Sequence, residues 1–166
     1  MNDRAFHLAQ ANFSRGLGLI GSSVMDPFVA LLEQINSLAD RSPGFVWRLQ
    51  TADGDATAIR VFDDPLIIFN MSVWETIESL HEYVYSSAHV VPLRKRRDWF
   101  EKIETPASVL WWIPAGHTPT VEEAVERFGF LTTAGPTAEA FTFAKPFPSP
   151  ADVSGAQLRP LAGCGS

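Results

Sequence analysis

Residues 66–88 read LIIFNMSVWETIESLHEYVYSSA, and this stretch decides the fold. Its first residues are apolar and β-branched, which is typical of a central strand covered on both faces. Further along, the apolar positions take helical spacing, which predicts a helix with the apolar stripe Ile77, Leu80, Val84 and Ala88. Ser72, with a glutamate three residues later, fits a capping box, so we expect the helix to begin just after Ser72. A central strand should therefore pass directly into a helix.

The alternation of strands and helices continues on both sides of this stretch. Strands are predicted where apolar and β-branched residues cluster between turn signals, and helices where a capping residue or proline precedes an apolar stripe. The stripe of the last helix is predicted to be Val121, Ala124, Val125 and Phe128, ending before Gly129. The other predicted strands lie at 4–12, 45–50, 59–62, 107–113 and 140–144. One further helix is predicted after Thr120, and another with Asp26 as its N-cap and Pro27 as its first residue, which stops at the SPG motif of Ser42 to Gly44.

The order strand–helix–strand–strand–helix–strand predicts an α+β fold of the ferredoxin-like kind, an antiparallel sheet with helices on one face. The other face would be open, although the strands contain large aromatic residues. Packing that face against a second copy would remove the exposure, so we predict a homodimer. We expect one domain at 1–150. Because proline, glycine and serine dominate after Pro146, we expect a disordered tail, assigned to 151–166.

Composition excludes several classes of function. The chain has 166 residues and a net charge of -6, so we expect no nucleic-acid partner, because there is no domain-wide positive field. The single cysteine, Cys164, leaves no disulfide framework and no thiolate metal site. No apolar run approaches the length that spans a membrane, and the N-terminus lacks the apolar core of a signal peptide. We therefore expect a soluble, cytoplasmic protein without a membrane partner.

Two motifs that suggest ligands lack the context they need. The glycines from Gly16 to Gly21 match G-x-G-x-x-G, but the predicted helix starts too late, at Pro27, for its amides to meet a pyrophosphate. The four histidines show no metal-binding spacing, so no metal centre is predicted. The glycine segment is accordingly interpreted as a loop.

A histidine and a basic run flank Pro92, where the helix must break. Acidic residues four positions after two of the arginines would form the ion pairs of a solvated helix face. On this interpretation the run is structural; on the other, one of Arg94, Arg96 and Arg97 reaches a pocket. His89 lies off the apolar stripe, and is either a C-terminal cap or an acid, base or haem ligand at a pocket rim.

Six motifs occur in order along the chain: SPGFVWRLQ, GDATAIRVFDDP, IIFNMSVWETIESLHEYVYSSAHV, LRKRRDWF, LWWIPAGHTPTVEEAVERF and GPTAEAFTF. Through them the chain resembles domain of unknown function 3291 from about Phe6 to Pro150. The resemblance implies a dimeric α+β barrel. The wider superfamily includes cofactor-free antibiotic-biosynthesis monooxygenases, haem-degrading oxygenases, chlorite dismutases, aldoxime dehydratases and simple binding proteins, so the fold implies no single activity.

The resemblance also implies a candidate site. Cofactor-free quinone-forming members have an asparagine and a tryptophan four residues apart and an arginine about twenty residues later, a spacing similar to that of Asn70, Trp74 and Arg94. The asparagine would orient a phenolic substrate, the tryptophan would stack on it, and the arginine would stabilise its enolate. Trp74 would equally fit a packing role in the first helical turn.

The predicted function is binding of an apolar or aromatic small molecule. Its enzymatic interpretation is cofactor-independent monooxygenation of an aromatic or polyketide-like substrate, with His89, Asn70 and Arg94 as catalytic residues. Two alternatives remain: a haem-dependent enzyme that uses His89, and a non-catalytic ligand-binding or structural dimer. The predicted aromatic lining of the pocket consists of Trp74, Tyr85, Trp47 and Trp112.

Overall fold

The computed structural model describes residues 5–19, 21–50, 66–85 and 108–152. Within these ranges the predicted order of strands and helices is present up to the last helix. The predicted strand at 59–62 lies outside the described residues. The elements are β1 (Phe6–Arg15), α1 (Asp26–Arg41), β2 (Phe45–Arg48), β3 (Ile67–Trp74), α2 (Ile77–Val84), β4 (Ser108–Pro114) and α3 (Val121–Ala134).

The four described strands form one antiparallel sheet in the order β2-β3-β1-β4. β1 lies in the middle and pairs along its length with β3, from Leu8 opposite Trp74 to Arg15 opposite Ile67. On its other side it pairs with β4. This strand order with two covering helices is the ferredoxin-like arrangement, so the predicted fold class is confirmed.

Alternation along β1 divides the sheet into two faces. The face that includes Leu8, called here the α1/α2 face, packs against both early helices. Trp74 stacks on Tyr83 of α2 with ring centroids 4.9 Å apart, and the Tyr83 hydroxyl donates to the Ile35 carbonyl of α1 at 3.2 Å. Burial raises the pKa of Tyr83, so this hydroxyl stays a donor.

The opposite face, called here the α3 face, is covered by the last helix of the same chain. Phe13 of β1 lies 4.6 Å from Phe128 of α3 between ring centroids, and Phe69 and Trp111 are buried in the same cluster. The open face from which we predicted a homodimer is therefore closed within the chain. The homodimer stays a prediction, but exposed aromatic residues on the sheet no longer support it.

The capping box at Ser72 is wrong. Ser72 lies inside β3, opposite Gln10, and the sheet keeps the backbone extended through Trp74. The helix begins at Ile77, and its N-cap is Thr76, whose hydroxyl accepts from the Ser79 amide at 2.9 Å. The backbone N–H and C=O groups of residues 72–74 bond to the neighbouring strands instead of forming helical hydrogen bonds. The strand therefore extends further than the local sequence pattern indicates.

The predicted start of the last helix is confirmed, but its end is wrong. Thr120 is the N-cap and accepts from the Glu123 amide at 3.1 Å. The helix continues past Gly129 to Ala134. Val125, predicted to be buried, is 36% exposed, whereas Leu131 is buried. The helix continues for this extra length because Leu131 buries further apolar area against the α3 face of the sheet.

The predicted N-cap of α1 is also wrong, because α1 begins at Asp26 with Met25 as its N-cap and no side-chain hydrogen bond there. Pro27 occupies the first turn as expected, and the helix ends at Arg41 with Ser42 as its C-cap, as the SPG motif predicts. Met25 is buried against Phe28 and neighbouring apolar residues. Packing of this side chain fixes the helix start in place of a cap.

The segment after α3 packs more closely than the sequence indicates. Instead of the predicted strand at 140–144 there are isolated bridges, such as Leu110 opposite Phe141. Phe147 packs on the α1/α2 core, and its carbonyl accepts from Trp112 Nε1 at 2.9 Å. Ser149 is buried. The chain is therefore ordered beyond Pro146. Residues 153–166 lie outside the described ranges, so the tail stays a prediction.

Glu123 joins three elements at one end of the α3 face. Its two carboxylate oxygens take separate partners: Trp111 Nε1 donates at 2.9 Å, and His117 Nε2 lies 2.8 Å away. Burial alone would raise the pKa of Glu123. The hydrogen bonds from His117 and Trp111, with the charges of His117 and Arg127, outweigh burial and lower the pKa below its ordinary 4.5.

We expect Glu123→Gln to lower the free energy of unfolding by about 1 kcal/mol at neutral pH, because a charge-assisted hydrogen bond is lost. Because the pKa of Glu123 is lower in the folded protein than in the unfolded chain, its carboxylate contributes its full stabilisation at pH values above the ordinary pKa. That stabilisation is lost as the pH falls through the pKa of the folded state. Thermal melts from about pH 7 to about pH 3 should therefore show the variant and the wild type converging in acid. Glu122→Gln, one exposed position away, is the control. An equal loss there would contradict a specific role for Glu123.

We expect removal of residues 153–166 to leave the melting temperature unchanged, whereas Phe147→Ala should destabilise the protein. The loss should be about 2 kcal/mol, less than the roughly 3–5 kcal/mol of a fully buried phenylalanine, because the ring is half-buried. Urea unfolding of both variants measures the difference. A truncated chain that melts as low as the Phe147 variant would mean that the tail also packs on the domain.

Candidate functional site

Five polar side chains from three strands meet on the α1/α2 face, and are called here the polar row. Antiparallel register places Gln10 opposite Ser72, and Asn12 between Asn70 on β3 and Ser108 on β4. Even-numbered positions of β1 point to this face, so two polar residues two positions apart become neighbours in space. The row thus forms a hydrogen-bonding strip on a face whose other contacts are largely apolar.

The row is one connected hydrogen-bond network. Asn12 Nδ2 donates to Asn70 Oδ1 at 3.0 Å, and Gln10 Nε2 donates to the same oxygen at 3.4 Å. Gln10 Nε2 also donates to Ser72 Oγ at 3.1 Å. The Ser108 hydroxyl donates to Asn12 Oδ1. Each amide is therefore oriented by its neighbour.

Asn70 presents a donor to its surroundings. Its carbonyl oxygen already accepts from two amide groups of the row, so its Nδ2 points away from them. Within the described ranges this Nδ2 has no acceptor, and Asn70 is the exposed member of the row, whereas Gln10 is 7% exposed. The arrangement leaves a fixed N–H donor that can bind an acceptor oxygen of a ligand.

Trp74 lies on the same face as Asn70, but it is enclosed. The indole is fully buried between Tyr83, on which it stacks, and Phe45, which meets it edge-on at 5.4 Å. Its Nε1 donates to Ser72 Oγ at 2.9 Å. Trp74 is the last residue of β3 and not part of a first helical turn. In this structure the indole packs in the core and anchors one end of the row.

The other predicted aromatic residues do not gather around Asn70. Trp47 packs on the α3 face, the opposite side of the sheet. Tyr85 is 56% exposed at the end of α2, with its ring 4.5 Å from that of His81. His89 and the three predicted arginines, Arg94, Arg96 and Arg97, lie outside the described residues.

Trp112 lines a separate open cleft of about 790 Å³. This cleft lies at the end of the sheet where β1 begins, beyond the buried Leu8 and away from the row. Its walls are apolar and acidic, and include Phe6, Glu75, Ile77, Glu78, Trp112 and Asp152. Trp112 and Asn70 therefore belong to different places on the same face.

The polar row contains no acidic, basic or imidazole side chain. Its members are amides and hydroxyls. The nearest cation in the strand register is Arg48, opposite Ser72, and its guanidinium is bound to Asp40 at 2.8 Å and 3.3 Å. Among the residues described, no three histidine, cysteine or acidic side chains could share a metal ion. No described helix is long and apolar enough to cross a membrane.

Gln10, Asn12 and Ser108 were not predicted as site residues. The available signal was weak: two amides two positions apart in a strand that is otherwise mostly apolar. These residues meet only because β1 pairs with strands that are distant in sequence. Asn12 is 58 residues from Asn70 and 96 residues from Ser108 along the chain. Periodicity within one segment cannot supply that register.

The chain resembles several solved structures, three of which are described next. A variant of SnoaB, a cofactor-independent oxygenase from Streptomyces nogalater, is 14% identical with a TM-score of 0.46, and the match covers 68% of this chain and 95% of that chain. A proposed antibiotic biosynthesis monooxygenase from Nitrosomonas europaea is 11% identical with a TM-score of 0.45, covering 72% and 99%. PA3566 from Pseudomonas aeruginosa is 7% identical with a TM-score of 0.46, covering 70% and 100%. At these values no activity or ligand is transferred to this chain.

Sequence comparison gives the family. No curated protein matches the sequence of this chain significantly. A family model does match, over residues 7–156, which is most of the chain. The chain therefore belongs to the family described as Domain of unknown function (DUF3291).

Proposed function

We propose that the polar row is the floor of a site for an apolar or aromatic small molecule. The observation on which this rests is the fixed, exposed Nδ2 donor of Asn70. Sites for small molecules are mostly apolar, with a few placed polar groups that orient the ligand. Ile68, which is partly exposed and shares the face with Asn70, supplies apolar surface at one edge of the row.

The proposed reaction is cofactor-independent monooxygenation of a phenolic polyketide-like substrate. An anthrone-type methylene, R₂CH₂, reacts with O₂ to give R₂C=O and H₂O, so the substrate supplies both protons and all the electrons that the second oxygen atom needs. Asn70 Nδ2 would donate to the substrate oxygen that becomes an enolate, and Arg94 would add a positive charge there. His89 would accept the methylene proton. No cofactor takes part in this scheme.

Assembly and haem use belong to the same proposal. A homodimer is proposed from the family resemblance. Haem ligation by His89 is the competing use of that residue, and a Soret band in the purified protein would favour it. A ligand that binds without being turned over would favour the binding protein or structural dimer instead.

Asn70→Ala should lower kcat/KM about a hundredfold, because one preorganised donor to the developing oxyanion is lost. The assay follows oxygen uptake and quinone absorbance with a dihydroxyanthrone, against the rate without protein and with a chelator present. Gln34→Ala, an exposed amide on α1, is the matched control and should leave the rate unchanged. Equal rates for Asn70→Ala and wild type would contradict the proposed site.

His89→Ala and Arg94→Ala should each reduce turnover while the melting temperature changes little, since an exposed capping histidine contributes only about 0.3–1 kcal/mol. The histidine variant should remove the proton-accepting limb of the pH–rate profile. A structural role predicts the reverse: a lower melting temperature with kcat and ligand affinity unchanged. Measuring both quantities on one preparation of each variant separates the two interpretations.

A further inference from the structure

The amide of Asn70 is coupled to two other amides of the polar row. Its Oδ1 is held by Asn12 Nδ2 at 3.0 Å and by Gln10 Nε2 at 3.4 Å, and Asn12 is itself oriented by the Ser108 hydroxyl. An amide has a donor end and an acceptor end, so the end that meets Asn12 determines the end that points outwards. Turning one amide of the row requires its neighbours to turn as well.

We infer that Asn12 and Gln10 set the polarity of the site and so select ligands that offer an acceptor oxygen, a ketone or a phenolate, over ligands that offer an N–H donor. The inference rests on the proposed binding site and adds two positioning residues to it. Discrimination by such groups is strong, because a ligand with the wrong polarity leaves Asn70 Nδ2 facing another donor.

The decisive substitution is Asn12→Asp, which preserves size and leaves the Ser108 hydroxyl an acceptor to bind. A carboxylate at position 12 cannot donate to Asn70 Oδ1, so the Asn70 amide should turn its NH₂ toward the carboxylate and its oxygen outwards. The ligand-facing group would change from donor to acceptor. The side-chain amide protons of Asn70, assigned by their loss in Asn70→Ala, should shift downfield in proton–nitrogen correlation spectra of Asn12→Asp.

Ligand selectivity gives the second measurement. Dissociation constants for α-tetralone, an acceptor, and α-naphthylamine, a donor, are compared at neutral pH, where both are uncharged. We expect the wild type to prefer the ketone and Asn12→Asp to shift the ratio toward the amine by at least about tenfold. In the double variant Asn12→Asp/Asn70→Ala the shift should disappear, because the charge remains but the amide is gone.

Three results would overturn the inference. They are an unchanged selectivity ratio in a folded Asn12→Asp protein, Asn70 amide resonances that do not move, and an amine preference that persists in the double variant. Failure of the wild type to bind either probe would instead count against the proposed function. In that event the amide resonances still decide whether Asn12 orients Asn70, so the two failures are distinguishable.

Discussion

The register of β1 between β3 and β4 is the constraint on which the rest of the structure depends. With Leu8 opposite Trp74 and Asn12 opposite Asn70, even-numbered residues face α1 and α2, and odd-numbered residues face α3. A slip of β1 by one residue would place Gln10 and Asn12 under α3 and turn Phe13 to the α1/α2 face. One pairing therefore fixes two apolar cores and the hydrogen-bonding strip between strands.

Closure of the α3 face within the chain leaves the α1/α2 face for the proposed site. Phe128 and Leu131 pack against the sheet there, and Glu123 ties the helix to Trp111. The cluster of buried residues on that face consists of alanine, aromatic, branched and methionine side chains. The side-chain amides of β1 and β3 lie on the α1/α2 face instead, where the proposed site is.

Local patterns predicted the elements but not the contacts between them. Thr120 and Ser72 have similar capping signatures, yet Thr120 caps a helix and Ser72 lies in a strand, because β1 pairs with the backbone around Ser72. Asn70 was predicted from its spacing to Trp74, and the structure places both on one face. Their environments differ: the asparagine is exposed, and the indole is enclosed by aromatic rings. Tertiary pairing decides such cases, and a single segment does not contain it.

Neutral amides suit a substrate that acquires charge only after it binds. A cation in place of Asn70 would carry a desolvation cost in the empty site and would need a counter-ion, as Arg48 is paired with Asp40. An amide avoids that cost, and the two donors on Asn70 Oδ1 polarise its N–H bonds toward the ligand. The attraction between this N–H donor and the substrate oxygen would grow as negative charge develops on that oxygen. The hydrogen bond would therefore stabilise the transition state more than the initial complex. In the proposed site, a floor of oriented amides therefore favours a reaction through an enolate over tight binding of a permanent anion.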